Sequence, residues 1–156
     1  MEAKEALLSA LDLRWARYRA ELKNCHREFS EGAVHDLRVE SRRLLAIFDM
    51  LRAVINLEQI QKVRRELKSR LDELDELRDV QVLLADVLET IDQFPELKPF
   101  QKHLQKKEKK LLKGAQKLID KESLDYLSKR VRKTREQVEE LTDLLVRSKM
   151  FATIIL

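Results

Sequence analysis

The sequence predicts an all-α protein, an antiparallel bundle of four to five long helices, and three observations carry that expectation. Leu, Glu, Lys and Arg dominate, and 38% of residues are charged, a composition typical of long helices. Two glycines and two prolines are too few for a loop-rich β protein. Apolar residues recur at steps of three and four along nearly the whole chain, and no segment of useful length alternates with the period of a strand.

The first helix carries the stripe Leu8, Leu11, Trp15, Tyr18, Leu22, Cys25 and Phe29, which keeps one side apolar. Cys25 lies within that stripe and reads as a buried thiol. Ser30 and Gly32 mark the turn that follows. The second helix reads Val34, Leu37, Leu44, Phe48, Leu51 and Ile55. Asn56, with Gln59 three positions on, is the expected cap of a third helix. That helix is long, from about Leu57 to Ile91, with Ile60, Val63, Leu67, Leu71 and Leu74 inward. Pro95 and Pro99 punctuate the next connection. A fourth helix carries Leu97, Phe100, Leu104, Leu111, Ala115 and Leu118. Ser123 is the expected N-cap of a fifth, with Leu124, Leu127, Val131, Thr134, Val138, Leu141 and Leu145 at heptad-like spacing. Short turns between such helices favour antiparallel neighbours. The chain of 156 residues suits a single bundle over 1–149. Residues 150–156 form an apolar tail expected to pack on the bundle or against a partner.

Composition also excludes several functions. One cysteine rules out a disulfide framework and a cysteine-based zinc site. No apolar run is long enough to span a bilayer, and the charged N-terminus does not read as a signal peptide, so the expected compartment is the cytoplasm. No glycine-rich phosphate loop, HExxH pair or nucleophile elbow occurs. His26, His35 and His103 lack helical metal-pair spacing. The expectation is a non-enzyme without a cofactor.

The second helix departs from a simple amphipathic pattern. Measured from Leu37 at about 100° per residue, His35, Arg38 and Arg42 form one strip, and Val39, Ala46, Met50 and Ala53 occupy the far side. A helix that is apolar or small on two sides is covered twice or lines a groove. The basic strip has two readings: cations paired with acids on a neighbouring helix, or an anion site. Arginines at i and i+4 project side by side and match phosphate oxygens. In the third helix, Arg78 projects near the centre of the core stripe, where a charge must be paired or bound to an anion. Arg64 and Lys68 extend a basic track on the same flank.

Val34-His35-Asp36-Leu37-Arg38-Val39-Glu40-Ser41-Arg42-Arg43-Leu44 resembles the first signature of the CHAD family of helical domains. Leu77-Arg78-Asp79-Val80-Gln81-Val82-Leu83 resembles its second. The resemblance implies a module that binds inorganic polyphosphate or a similar polyanion, with association to polyphosphate granules. It implies ligand-facing roles for His35, Arg38, Arg42, Arg43 and Arg78, with Arg64 and Lys68 nearby. It also implies that Asp36 and Asp79 orient arginines. Leu45 stands where the family usually carries arginine, and Asp75 where it usually carries glycine. The chain resembles one half of the family's two-bundle architecture, so a homodimer is expected through the apolar second face of the second helix.

A louder basic feature lies in the fourth helix, where Lys98, Lys102, Lys106, Lys109, Lys113 and Lys117 form one stripe opposite the apolar side. It reads as a solvated face that attracts polyanions diffusely. The alternative function is a helical scaffold or assembly protein with non-specific binding to the nucleic-acid backbone. Aromatics at 5% serve base stacking poorly.

Overall fold

The computed structural model describes residues 2–155, with side chains described for 3–144 and 147. Five α-helices follow one another: α1 (Glu2–Arg27), α2 (Glu31–Val54), α3 (Glu58–Thr90), α4 (Lys98–Leu118) and α5 (Lys121–Ile155), with a short 3-10 turn at Pro95–Leu97 before α4. No strand occurs among the described residues. The all-α expectation therefore holds.

Cross-helix ion pairs reveal the chain directions. As the partner on α2 moves from Glu31 to Arg38 to Asp49, its partner on α3 retreats from Arg78 to Asp75 to Arg64, so α2 and α3 run antiparallel. The same reversal pairs Lys4 and Asp12 of α1 with Asp143 and Arg135 of α5. In sequence order α1 packs on α2, α2 on α3 and α3 on α4, while α5 closes against α1 and α3.

The apolar stripes become the core. Leu8, Leu11, Tyr18, Leu22 and Cys25 of α1 are buried against Val34, Leu37, Leu44, Phe48 and Leu51 of α2 and against Ile60, Val63, Leu67, Leu74 and Leu77 of α3. Leu127, Val131 and Val138 of α5 join them, and Thr134 is buried with its hydroxyl donated to the Arg130 carbonyl. Burial pushes the Cys25 thiol up to about 11, helped by the carboxylates of Glu21 and Asp36, so the thiol stays protonated and inert. A separate cluster of Val80, Leu84, Val87 and Leu104 holds the distal end of α3 to the start of α4.

Several helix ends differ from expectation. Ser30 is the N-cap of α2, its hydroxyl accepting from the Ala33 N–H, and Gly32 lies inside the first turn of the helix. Asn56 does not cap α3. Leu57 holds that position without a side-chain bond, and the Asn56 side chain accepts from Gln61 instead. Ser123 is not the N-cap of α5, which starts at Lys121. Its oxygens are taken by Arg70, as described below. Phe100 is 41% exposed and not part of the α4 core face; Leu104 is the α4 residue buried against the distal end of α3. The helix α5 continues through Ile155. The side chains of Leu145 and of 150–156, on which the tail expectation rests, lie outside the described residues.

Candidate functional site

The candidate groove lies between α2 and α3. Heptad-like burial of Leu37, Leu44 and Leu51 turns the Arg38 and Arg42 side toward α3. Asp75 of α3 receives both. Arg38 donates its Nε to Asp75 Oδ1 at 2.7 Å, and Arg42 Nη2 reaches the two carboxylate oxygens at 2.9 and 3.1 Å. Two guanidiniums, spaced i and i+4, thus converge on one carboxylate and leave a formal excess of one positive charge. Arg38 is mostly buried, with 13% of its side chain exposed, while half of Arg42 faces solvent.

One turn toward the N-terminus of α2, a concavity of about 420 Å³ is lined by Glu31, Val34, His35, Arg38, Arg78 and Gln81, among others. Arg78 pairs with Glu31 across its mouth. The sequence projection set Arg78 at the centre of the core stripe, but Leu77 is the buried residue there and Arg78 keeps 39% of its side chain exposed. The structure therefore brings together His35, Arg38, Arg42 and Arg78.

The remaining candidates point elsewhere along the same helices. Arg43 donates to Glu40 at 2.6 Å. The carboxylate of Glu40 is buried and lies 3.5 Å from Arg14 of α1. Arg64 is paired with Asp49 and Lys68 with Asp72, the latter at 3.0 Å one turn along α3. Asp36 and Asp79 do not hold arginines among the described contacts. Asp36 lines the concavity, and the acceptors are Asp75 and Glu31. Every arginine and lysine of the candidate set is ion-paired in this structure, as the pairing reading of the strip expects.

Sequence reasoning missed three groups. Asp75 was visible only as an unusual residue, and its register against Arg38 and Arg42 emerges from the packing of α2 on α3. Glu40 interrupts no apolar period, yet it is buried between two arginines. Among the described residues Arg70 is the buried cation, 4% exposed. It donates to Glu66 at 2.9 Å, to the Leu118 carbonyl at 2.9 Å, to the Ser123 carbonyl at 3.3 Å and to the Ser123 hydroxyl. A signal for it existed, since Arg70 follows Leu67 by three and precedes Leu74 by four on the core stripe. Burial raises the phenol of Tyr18 above its ordinary value, and the nearby Arg70 partly opposes that shift.

The stripe Lys98, Lys102, Lys106, Lys109, Lys113 and Lys117 is exposed throughout and enters no ion pair among the described residues. Only Lys107 beside it pairs, with Glu76 at 3.1 Å. His103 is exposed as well. Among the described residues no group of three His, Cys, Asp or Glu side chains could hold a metal ion, and no described helix is long and apolar enough to cross a membrane.

Fold and site together define an all-α bundle in which Arg38, Arg42 and Arg78 lie between two antiparallel helices, paired with Asp75 and Glu31. The family model for the CHAD domain matches residues 9–149 of the chain, and the protein belongs to that family. CHAD domains are associated with polyphosphate binding and are generally binding domains. Among curated proteins and solved structures, no match to the chain is found.

Proposed function

We propose that this protein binds inorganic polyphosphate, without catalysis, in the groove between α2 and α3. The observation that carries the reading is the convergence of Arg38 and Arg42 on the single carboxylate of Asp75. Two forked donors that already meet on one pair of anionic oxygens suit the oxygens of a phosphate unit. His35 and Arg78 line the adjoining concavity and take the next unit. Arg64 and Lys68 extend the track along α3, and Arg43 adds positive field from the other flank of α2.

Binding is an exchange of partners. Phosphate oxygens replace the carboxylates that hold the cations, and condensed counterions leave the polyanion, so affinity falls steeply with salt. The unpaired lysines of α4 raise the local concentration of polyanion without fixing its geometry. We further propose that two copies of the chain assemble through the second face of α2. Ala46 and Ala53 there are exposed, with Met50 56% and Val54 75% exposed, and pairing would place two grooves side by side. A protein of this kind is expected in the cytoplasm, on polyphosphate granules.

The test is titration with long-chain polyphosphate of the natural protein and of an Arg38→Ala/Arg42→Ala variant. Loss of two contacts, each worth about 1.5–3 kcal/mol for bonds to charged groups, should weaken binding at least about a hundredfold. Arg42→Glu should cost far more than Lys106→Glu. Greater damage from the lysine change would move the site to α4. Equal competition by duplex DNA would favour a non-specific polyanion surface.

A further inference from the structure

A second concavity, of about 430 Å³, is walled by α1 and α5 and shares no residue with the groove between α2 and α3. Its chemistry differs from that of the groove. Trp15, the sole tryptophan of the chain, lines it together with Val131. The indole is half-buried and stacked on the buried Tyr18, ring centroids 5.7 Å apart and planes 22° from parallel, so the ring is held in place. Around it stand Arg19, Lys129 and Arg132, all exposed, none of them in an ion pair among the described residues. The Arg19 guanidinium sits 5.7 Å from the Trp15 ring centroid. Asp12 and Arg135 on the same wall neutralise each other at 2.8 Å. That leaves three free cations facing one free carboxylate, Asp125, with the Ser128 hydroxyl beside it.

We propose that this concavity binds a nucleotide bearing several phosphates, its base against Trp15 and its phosphates on Arg19, Lys129 and Arg132. A fixed aromatic ring offers stacking that a bare phosphate chain has no use for, worth about 1–3 kcal/mol per base in other proteins. Free guanidinium and ammonium groups next to the ring supply charge-assisted bonds to phosphate oxygens, which an uncharged nucleoside has no use for. Lys129 and Arg132, one turn apart on α5, present their charges on one side of the helix. Asp125 and Ser128 offer acceptors to sugar hydroxyls. The volume falls in the range of small-molecule sites. The inference stands independently of polyphosphate binding in the groove between α2 and α3.

Trp15 is its own reporter. Titration with ATP, followed by tryptophan emission excited at the red edge of the band, should give a saturable change. Adenosine and inorganic triphosphate, each with half of the recognised chemistry, should bind at least about tenfold more weakly, the equivalent of one lost charged contact. A Lys129→Ala/Arg132→Ala variant with an unchanged far-ultraviolet circular dichroism spectrum should lose ATP binding by about tenfold or more, checked by calorimetry. No saturable change up to millimolar ATP, equal binding of triphosphate and ATP, or indifference to the double substitution would each overturn the proposal. A single-stranded oligonucleotide that binds far more tightly than ATP would overturn it too, assigning the surface to nucleic acid.

Discussion

Both α2 guanidiniums direct their N–H groups at the carboxylate of Asp75, which under the proposed function stands where a phosphate would sit. Any anion entering there competes with a tethered one. Removing the charge while keeping an acceptor should favour the ligand: Asp75→Asn is expected to tighten polyphosphate binding about tenfold, roughly one charged contact. Calorimetry at matched ionic strength measures it, and unchanged or weaker affinity would show that Asp75 and the ligand do not compete. Arg70 is the opposite kind of cation. Its donors are spent on Glu66, Leu118 and Ser123 inside the protein, so it holds α3 to the α4–α5 connection and contributes nothing to a ligand. Arg70→Ala would remove the donor shared by Glu66, the part-buried carbonyl oxygens of Leu118 and Ser123 and the Ser123 hydroxyl. Breaking a buried charged network typically costs about 3–5 kcal/mol, and a urea unfolding midpoint should register a loss of that size. A loss below about 1 kcal/mol would mean that the network is not a structural joint.

Helices here are bounded by local chemistry at some ends and by packing at others. Ser30 gives α2 a side-chain cap, whereas α3 and α4 start at Leu57 and Leu97 without one. Their first turns are held by burial of Ile60 and by proline in the opening turn of α4. Gly114, in the interior of α4, has no steric reason to be glycine. A Cβ there would meet only Glu73 Oε2 at 3.5 Å, an ordinary contact. Glycine in a helix interior costs roughly 0.5–1 kcal/mol relative to alanine. Gly114→Ala should therefore raise stability by about that amount in thermal or urea melts. Destabilisation would show that α4 needs the close approach to α3.

At the scale of the molecule, the cations of the groove between α2 and α3 are paired, whereas the lysine stripe of α4 from Lys98 to Lys117 enters no ion pair among the described residues. Under the proposed function, a polyanion is drawn in by α4 and held by α2 and α3. The proposed pairing of two copies rests on the uncovered face of α2. Single exposed apolar residues are ordinary on a protein surface, but a run of them on one helix face marks a contact surface. Light scattering at micromolar concentration should give twice the 18.5 kDa chain mass, and Met50→Glu should return the monomer. A strictly monomeric natural protein would exclude the paired arrangement.

The sequence by itself determined the class of fold, the order of the helices, and the core stripes of α1, α2 and the first half of α3, but not Leu77, Val80, Leu84 and Val87 farther along α3. Steps of three and four residues place side chains on one face of a helix wherever that helix later packs. It also marked out the two motif segments on α2 and α3. Only the tertiary structure decided which carboxylate faces which arginine. Asp75 meets Arg38 and Arg42, and Glu31 meets Arg78, because α2 lies antiparallel on α3 in one particular register. That register also left Arg78 at the rim, while the packing of the α4–α5 connection on α3 put Arg70 inside. The cause is physical: periodicity is a property of one helix, whereas an ion pair depends on the axial shift between two. Leu, Val and Ile stripes tolerate several such shifts, and the packing of whole side chains selects among them.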